Sequence, residues 1–150
     1  MHTYSQISQD KFVNLMLGSA KGFFLDFGCG DGISQHNPCG NNTLLLEENG
    51  WNGLSIDLDP RLINIFKTYR KTHCKALDLL NCNINDLLVE YNCPSVIDYF
   101  SFDIDGASEY VIKKMPFDKF KFKFIHHSLS FRNAIPRDFS SSGFNLNIGE

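Results

Sequence analysis

The segment FLDFGCGDG, residues 24–32, constrains the fold of this chain more than any other. An apolar run leads into an acid, Asp26, and glycines follow at every second position, at Gly28, Gly30 and Gly32. A buried strand that ends in an acid and a glycine turn is typical of the first strand of an open α/β sheet, where a nucleotide-like ligand approaches the carboxyl end of the strand. Glycine permits this approach because it has no Cβ and adopts positive φ readily. The segment therefore predicts a ligand site at the end of the first strand.

Apolar runs bounded by turn residues alternate along the chain with stretches of helical period. This order predicts an α/β fold, a Rossmann-like doubly wound and mainly parallel sheet with helices on both faces. The predicted strands are 22–27, 53–57, 73–77, 96–104, 121–127 and 144–148. The predicted helices are 9–17, 42–48, 60–71, 85–90, 108–114 and 137–142.

Composition narrows the class of protein. The 150 residues suit a single domain, and the net charge of -3 argues against a nucleic acid held by bulk charge. The five cysteines form no C-x-x-C pair and match no standard zinc spacing, so we expect a reducing compartment and no metal site. Without an apolar leader or a long apolar stretch, a cytoplasmic protein with no membrane partner is expected.

The glycine spacing distinguishes between nucleotide-like ligands. A dinucleotide fingerprint is G-x-G-x-x-G, whereas here the third glycine comes one residue early and Asp26 stands two positions before Gly28. This spacing resembles motif I of class I S-adenosylmethionine-dependent methyltransferases, D-x-G-x-G-x-G.

Acids also follow the next predicted strands, at Asp57, Asp78 and Asp103. The carboxylate of Asp57, at the end of strand two, is placed to accept hydrogen bonds from ribose hydroxyls. Asp78 would face an adenine edge, and Asp103 a methionine moiety or the substrate. Each acid alone is as readily explained as a helix cap or turn residue. Together and in order, they indicate one site.

The chain also resembles the FkbM family of methyltransferases, in segments that span about residues 5–127. These segments are SQISQDKFV (5–13), GFFLDFGCGDG (22–32), NTLLLEENGWNGLSIDLDP (42–60) and DYFSFDIDGASEYVIKKM (98–115). The chain departs from the family in a longer segment between Gly32 and Asn42 and in His126–His127 at the end of strand five. Few residues follow that strand, so we expect the sheet to lack a complete C-terminal strand hairpin.

The resemblance implies S-adenosylmethionine as cofactor and a small molecule or a sugar as methyl acceptor. We expect residues 1–150 to form a single methyltransferase-like domain, with an N-terminal helix over about 9–17, a cofactor half over about 22–90 and a substrate half over about 96–150. The glycine loop would seat the cofactor, with Asp57 on the ribose, Asp78 on the adenine and Asp26 accepting from the amino group of the methionine end.

If the acceptor is a hydroxyl, a base should remove its proton. The candidates are His127, Asp105 and Glu109, with His126 as a further one. His127 is favoured because imidazole titrates near neutral pH. A structural role for this histidine, and a helix-dipole role for Glu109, remain open.

Two other functions remain open. A non-catalytic or partner-dependent module of the same fold would bind the cofactor without turnover. A nicotinamide-dependent oxidoreductase is disfavoured by the glycine spacing and by the absence of a convincing Tyr-x-x-x-Lys pair.

Overall fold

The computed structural model describes residues 4–5, 8–17, 21–33, 41–127 and 145–147. These residues contain six strands and five α-helices, which alternate from α1 to β5, and a short 3-10 helix over Asp105–Ala107. The strands are β1 (Phe23–Phe27), β2 (Asn52–Asp57), β3 (His73–Ala76), β4 (Val96–Phe102), β5 (Lys121–His127) and β6 (Asn145–Asn147). The helices are α1 (Gln9–Leu17), α2 (Leu44–Glu48), α3 (Pro60–Tyr69), α4 (Ile84–Glu90) and α5 (Ser108–Lys114).

The strands form one sheet in the order β3-β2-β1-β4-β5-β6, and every neighbouring pair is parallel. The first strand, β1, lies inside the sheet, and β2 and β3 follow it toward one edge. The chain then crosses back to β4, which lies on the other side of β1. This reversal is the topological switch point at which open α/β sheets bind ligands, outside the carboxyl ends of the strands. The predicted site therefore lies where the direction of winding changes.

Helices cover both faces of the sheet. Leu25 of β1 belongs to the larger apolar cluster, which includes side chains from α4 and α5, whereas the adjacent Phe24 packs with α1 and α2. Successive side chains of a strand point to opposite faces, so a strand covered on both sides is apolar throughout. The prediction of a doubly wound α/β fold is confirmed.

The helix ends follow local sequence signals. Pro60 occupies the first turn of α3, and the Asp59 carboxylate accepts from the backbone N–H of Arg61 at 2.8 Å, as an N-cap residue does. The helix ends at Tyr69, two residues earlier than predicted, because Arg70 already has extended backbone angles. After α2, Gly50 has a φ of 85° and its N–H donates to the Glu47 carbonyl, the expected glycine C-terminal cap.

The far edge of the sheet differs in part from the prediction. β5 occupies the predicted range, and its exposed Lys121 and Lys123 alternate with buried Phe122 and Phe124. β6 lies within the predicted last strand and runs parallel to β5; within the described ranges no further strand pairs with it. The helix predicted over 137–142 lies outside the described residues. No helix among the residues described above is long and apolar enough to cross a membrane.

Candidate functional site

A cavity of about 520 Å³ opens at the carboxyl ends of β1, β2 and β4. Its walls combine apolar side chains, among them Ile56, Leu62 and Val111, with a set of acids. Six of the predicted site residues line it: Gly28, Gly30, Asp57, Asp78, Asp103 and Asp105. Residues from four separate segments of the sequence thus meet at one cavity.

The three glycines of the loop have different structural roles. All have positive φ, at 85° for Gly28, 60° for Gly30 and 75° for Gly32. A Cβ on Gly28 would overlap the backbone carbonyl of Asp103, so this glycine allows β1 and β4 to approach closely where they end. A Cβ on Gly32 would instead overlap the ring of Phe66 on α3. A Cβ on Gly30 would meet no atom within 4 Å, because this glycine faces the open cavity.

Asp57 links β2 to the glycine loop. Its Oδ2 accepts from the backbone N–H of Gly30 at 2.9 Å, and its Oδ1 accepts from the N–H of Asp59 at 2.9 Å. A carboxylate has about four lone-pair sites, so both oxygens retain capacity for hydroxyl donors. The residue predicted to bind ribose thus lines the cavity and also holds the loop.

Asp78 fixes the turn that follows β3. Its Oδ1 accepts from the N–H of Leu80 at 2.9 Å and its Oδ2 from the side-chain amide of Asn81 at 2.6 Å. The turn-residue explanation is therefore correct for Asp78, and it does not exclude a ligand role, because the side chain also lines the cavity.

Asp103 and Asp105 carry two exposed carboxylates on the cavity wall after β4. The N–H of Asp103 donates to the Phe27 carbonyl at 2.9 Å, which continues the pairing of β4 with β1 by one residue. Asp105 has a φ of 50°, in the left-handed region that non-glycine residues rarely adopt. Such strained positions are concentrated at functional sites.

Asp26 does not line the cavity. It is 3% exposed, and its Oδ2 accepts from the hydroxyl of Thr43 at 2.8 Å. Burial raises the pKa of Asp26 to about 6, although the hydrogen bond from Thr43 and the charge of Arg70 act in the opposite direction. The Asp26 carboxylate is therefore not placed to contact the amino group of a cofactor bound in this cavity.

Among the three predicted catalytic residues, only Asp105 lines the cavity. Glu109 is exposed and pairs with Lys113 one turn along α5, at 2.6 Å. His127 ends β5 with its ring 5.4 Å from that of Phe102. Burial lowers the pKa of His127 to about 4, opposed by the charge of Asp103, which argues against the expectation that this imidazole titrates near neutral pH.

The walls of the cavity are acidic. Four carboxylates line it, those of Asp57, Asp78, Asp103 and Asp105. No Lys, Arg or His is among the described lining residues, although the Lys114 ammonium donates to the carbonyls of Leu79 and Leu80, which do line it. The described part of the chain also contains no cluster of three or more His, Cys, Asp or Glu side chains placed to hold a metal ion. This arrangement favours an organic cation over a phosphate-bearing ligand.

Sequence reasoning missed Arg70, which is buried beside the glycine loop and donates to the Gly32 carbonyl at 2.8 Å. An arginine at the end of a helix is ordinarily a solvated charge near the helix dipole. The only local signal is that it follows a helix whose apolar face includes Phe66, over whose ring the guanidinium lies at 4.6 Å.

No protein-family model matches the chain, and no curated protein matches it. Among solved structures, it is similar to a TehB-like S-adenosylmethionine-dependent methyltransferase from Corynebacterium glutamicum, with a TM-score of 0.49 and 19% identity over 71% of this chain and 53% of that one. It is also similar to magnesium protoporphyrin IX methyltransferase from Synechocystis with bound S-adenosylmethionine, with a TM-score of 0.47 and 13% identity over 73% and 51%. For an S-adenosylmethionine-dependent methyltransferase from Clostridium acetobutylicum, the TM-score is 0.46 and the identity 17% over 76% and 47%. The chain spans about half the length of these three structures.

Proposed function

We propose that this chain binds S-adenosylmethionine in the acidic cavity and transfers the methyl group to an oxygen of a small molecule or a sugar. The observation that carries the proposal is the charge of the cavity. S-adenosylmethionine has a sulfonium, an ammonium and a carboxylate group and is therefore a net cation, and four carboxylates line the cavity that would hold it. Opposite charges within a few ångströms attract most strongly where water is partly excluded.

The residues present fit the parts of this cofactor. Asp57 would accept from the ribose hydroxyls, and Asp78 with the leucines beside it would bind the adenine. Asp103 would face the cationic methionine end, because Asp26 is buried away from the cavity. Gly30, whose α-carbon faces open space, would allow the loop backbone to approach the ligand.

When bound, S-adenosylmethionine supplies an electrophilic methyl group, and the chain's own task is alignment and proton removal. Asp105 is the predicted base that lines the cavity, so we propose that its carboxylate accepts the proton of the acceptor hydroxyl. His127 would remain neutral and pack against Phe102.

Membership of the FkbM family is part of this proposal. Its support is the sequence resemblance, above all in the segment that contains Asp103, Asp105, Gly106 and Glu109. Family members that methylate oxygen are the basis for expecting a hydroxyl acceptor.

One observation favours a nicotinamide-dependent enzyme instead, since the described strand order is also that of dinucleotide-binding sheets. One observation opposes it. A pyrophosphate binds where a helix N-terminus or basic groups meet it, whereas four carboxylates line this cavity.

A binding module without turnover is favoured by the placement of His127 and Glu109, neither of which lines the cavity. It differs from the enzyme only in whether Asp105 has an acceptor to deprotonate. Binding and transfer must therefore be measured separately.

Calorimetric titration of the folded, cofactor-free protein with S-adenosylmethionine tests the proposal. We expect saturable binding that weakens with added salt, and no comparable binding of reduced nicotinamide dinucleotide under the same conditions. A panel of hydroxyl acceptors with labelled methyl donor then separates the enzyme from the binding module. No heat of binding with S-adenosylmethionine would contradict the proposed function.

A further inference from the structure

A buried polar cluster is centred on Arg70, the residue that caps the C-terminus of α3. Its side chain is 0% exposed, and its guanidinium donates to four acceptors on other segments of the chain. They are Glu47 Oε2 at 2.8 Å, the Gly32 carbonyl at 2.8 Å, Asn41 Oδ1 at 3.2 Å and Thr43 Oγ1 at 3.2 Å. A buried charge is stable only when it is paired and its donors are satisfied, and the Arg70 cluster meets both conditions.

Three of these acceptors connect Arg70 to the glycine loop or to β1. The Gly32 carbonyl is itself part of the loop. The side-chain amide of Asn41 donates to the Cys29 carbonyl at 3.3 Å, and the Thr43 hydroxyl donates to Asp26 at 2.8 Å. The guanidinium therefore contacts residues 26–32 by one direct and two indirect routes.

Glu47 keeps the guanidinium in place. Besides Arg70, it accepts from the Lys71 N–H at 2.7 Å and from the Thr72 hydroxyl at 2.6 Å. Although partial burial raises it, these hydrogen bonds and the charge of Arg70 lower the pKa of Glu47 overall, so its carboxylate is ionised at neutral pH. The ion pair is thus anchored to the backbone at the end of α3.

Arg70 also joins the two ends of one chain segment. Gly32 precedes and Asn41 follows residues 34–40, which lie outside the described part, and the same Nη1 donates to both. The planar fork of arginine makes these contacts at once, which a lysine ammonium cannot do.

We propose that Arg70 is the positioning residue of the glycine loop: it holds Gly28, Cys29 and Gly30 in the arrangement that admits the ligand, without itself lining the cavity. The identity of that ligand as S-adenosylmethionine rests on the proposed function above. The role of Arg70 in fixing the loop does not rest on the proposed function, and it is measured without any ligand.

The test compares Arg70→Lys with Arg61→Lys. Arg61 lies on the same helix, its side chain is 88% exposed, and it forms its ion pair with Asp59, the N-cap acid of that helix. Amide hydrogen exchange of the cofactor-free protein is followed at Gly28 and Gly30, both hydrogen-bonded, and at Leu88 in α4 as a core reference.

In Arg70→Lys we expect exchange at the loop amides to rise about tenfold while exchange at Leu88 stays unchanged, and the affinity for S-adenosylmethionine to fall about tenfold. Arg61→Lys should change neither. Unchanged loop exchange in Arg70→Lys, or an equal rise at Leu88, would overturn the inference. If the unsubstituted protein fails to bind S-adenosylmethionine, the proposed function is overturned, whereas the exchange result still decides the role of Arg70.

Glu47→Gln is the second variant, because it keeps the shape of the anchor and removes its charge. We expect a smaller rise in exchange at the same loop amides, again without a change at Leu88. If Arg70→Lys does not fold, this variant decides: a selective rise at the loop supports the inference, and unchanged exchange contradicts it.

Discussion

The Oδ2 atom of Asp57 lies 2.9 Å from the backbone nitrogen of Gly30, so the acid at the end of β2 holds the turn at the end of β1. The register of the two parallel strands makes this possible, since Phe27 pairs with Ile56 and both strands leave the sheet side by side. The same carboxylate lines the cavity. One side chain therefore both supports the loop conformation and lines the cavity.

Asp57→Asn should weaken S-adenosylmethionine binding by about ten- to a hundredfold, because a hydrogen bond to a charged acceptor is worth about 1.5–3 kcal/mol. Calorimetry gives the Kd. Asp118→Asn is the matched control: Asp118 is exposed and precedes β5, at the amino ends of the strands and away from the cavity, so its Kd should equal that of the unsubstituted protein. Equal affinities for the two variants would show that Asp57 does not bind the ligand.

Alanine substitutions at Gly28 and Gly30 should lower the free energy of unfolding by different amounts. Gly30→Ala meets no neighbouring atom and should lose only about 1–2 kcal/mol for the left-handed backbone. Gly28→Ala adds an overlap with the Asp103 carbonyl and should lose about 3 kcal/mol more, since backbone on the neighbouring strand cannot yield easily. Denaturant unfolding measures both, and a Gly30→Ala protein as unstable as Gly28→Ala would contradict this assignment.

The spacing of the loop, the acids after the strands and the alternating elements were enough to predict the sheet and six of the cavity residues. Sequence could not separate the roles of the glycines, because the partner of Gly32 is Phe66 on α3, which is distant in sequence. Nor could it distinguish Asp105 from Glu109: both follow β4, and the 3-10 turn directs one to the cavity while the other pairs with Lys113.

Asp26→Asn should gain stability relative to the unsubstituted protein as the pH rises. The folded-state pKa of Asp26 is raised from 3.8 to about 6, so the unsubstituted fold favours the protonated acid, and stability present below pH 3.8 is lost as the pH rises to about 6. An asparagine mimics the protonated acid at every pH. The difference in free energy of unfolding between the two proteins should therefore increase by about 3 kcal/mol across this window and stay constant above it.

The contribution of His127 to the free energy of unfolding changes with pH in the opposite direction over part of the same range. Its folded pKa is lowered from 6.5 to about 4, so its contribution is complete above pH 6.5 and is lost as the pH falls toward 4. This contribution is common to both proteins and cancels in the difference between Asp26→Asn and the unsubstituted chain. Denaturant titrations at several pH values between 4 and 8 measure that difference, and a flat result would mean that Asp26 is not buried as a costly charge.

Asp105→Asn should lower the rate of methyl transfer by about 10²–10⁴-fold, the usual contribution of a general base, and should weaken S-adenosylmethionine binding much less than Asp57→Asn does, because Asp105 is assigned to the acceptor and not to the cofactor. Glu109→Gln is the matched control, since Glu109 lies in the first turn of α5 but pairs with Lys113 and does not line the cavity. It should retain full activity with the acceptor identified by the panel. Because His127 stays neutral above about pH 4, His127→Gln should leave the pH dependence of the rate between 6 and 8 unchanged. Loss of transfer in Glu109→Gln with retention in Asp105→Asn would exchange the roles of the two acids.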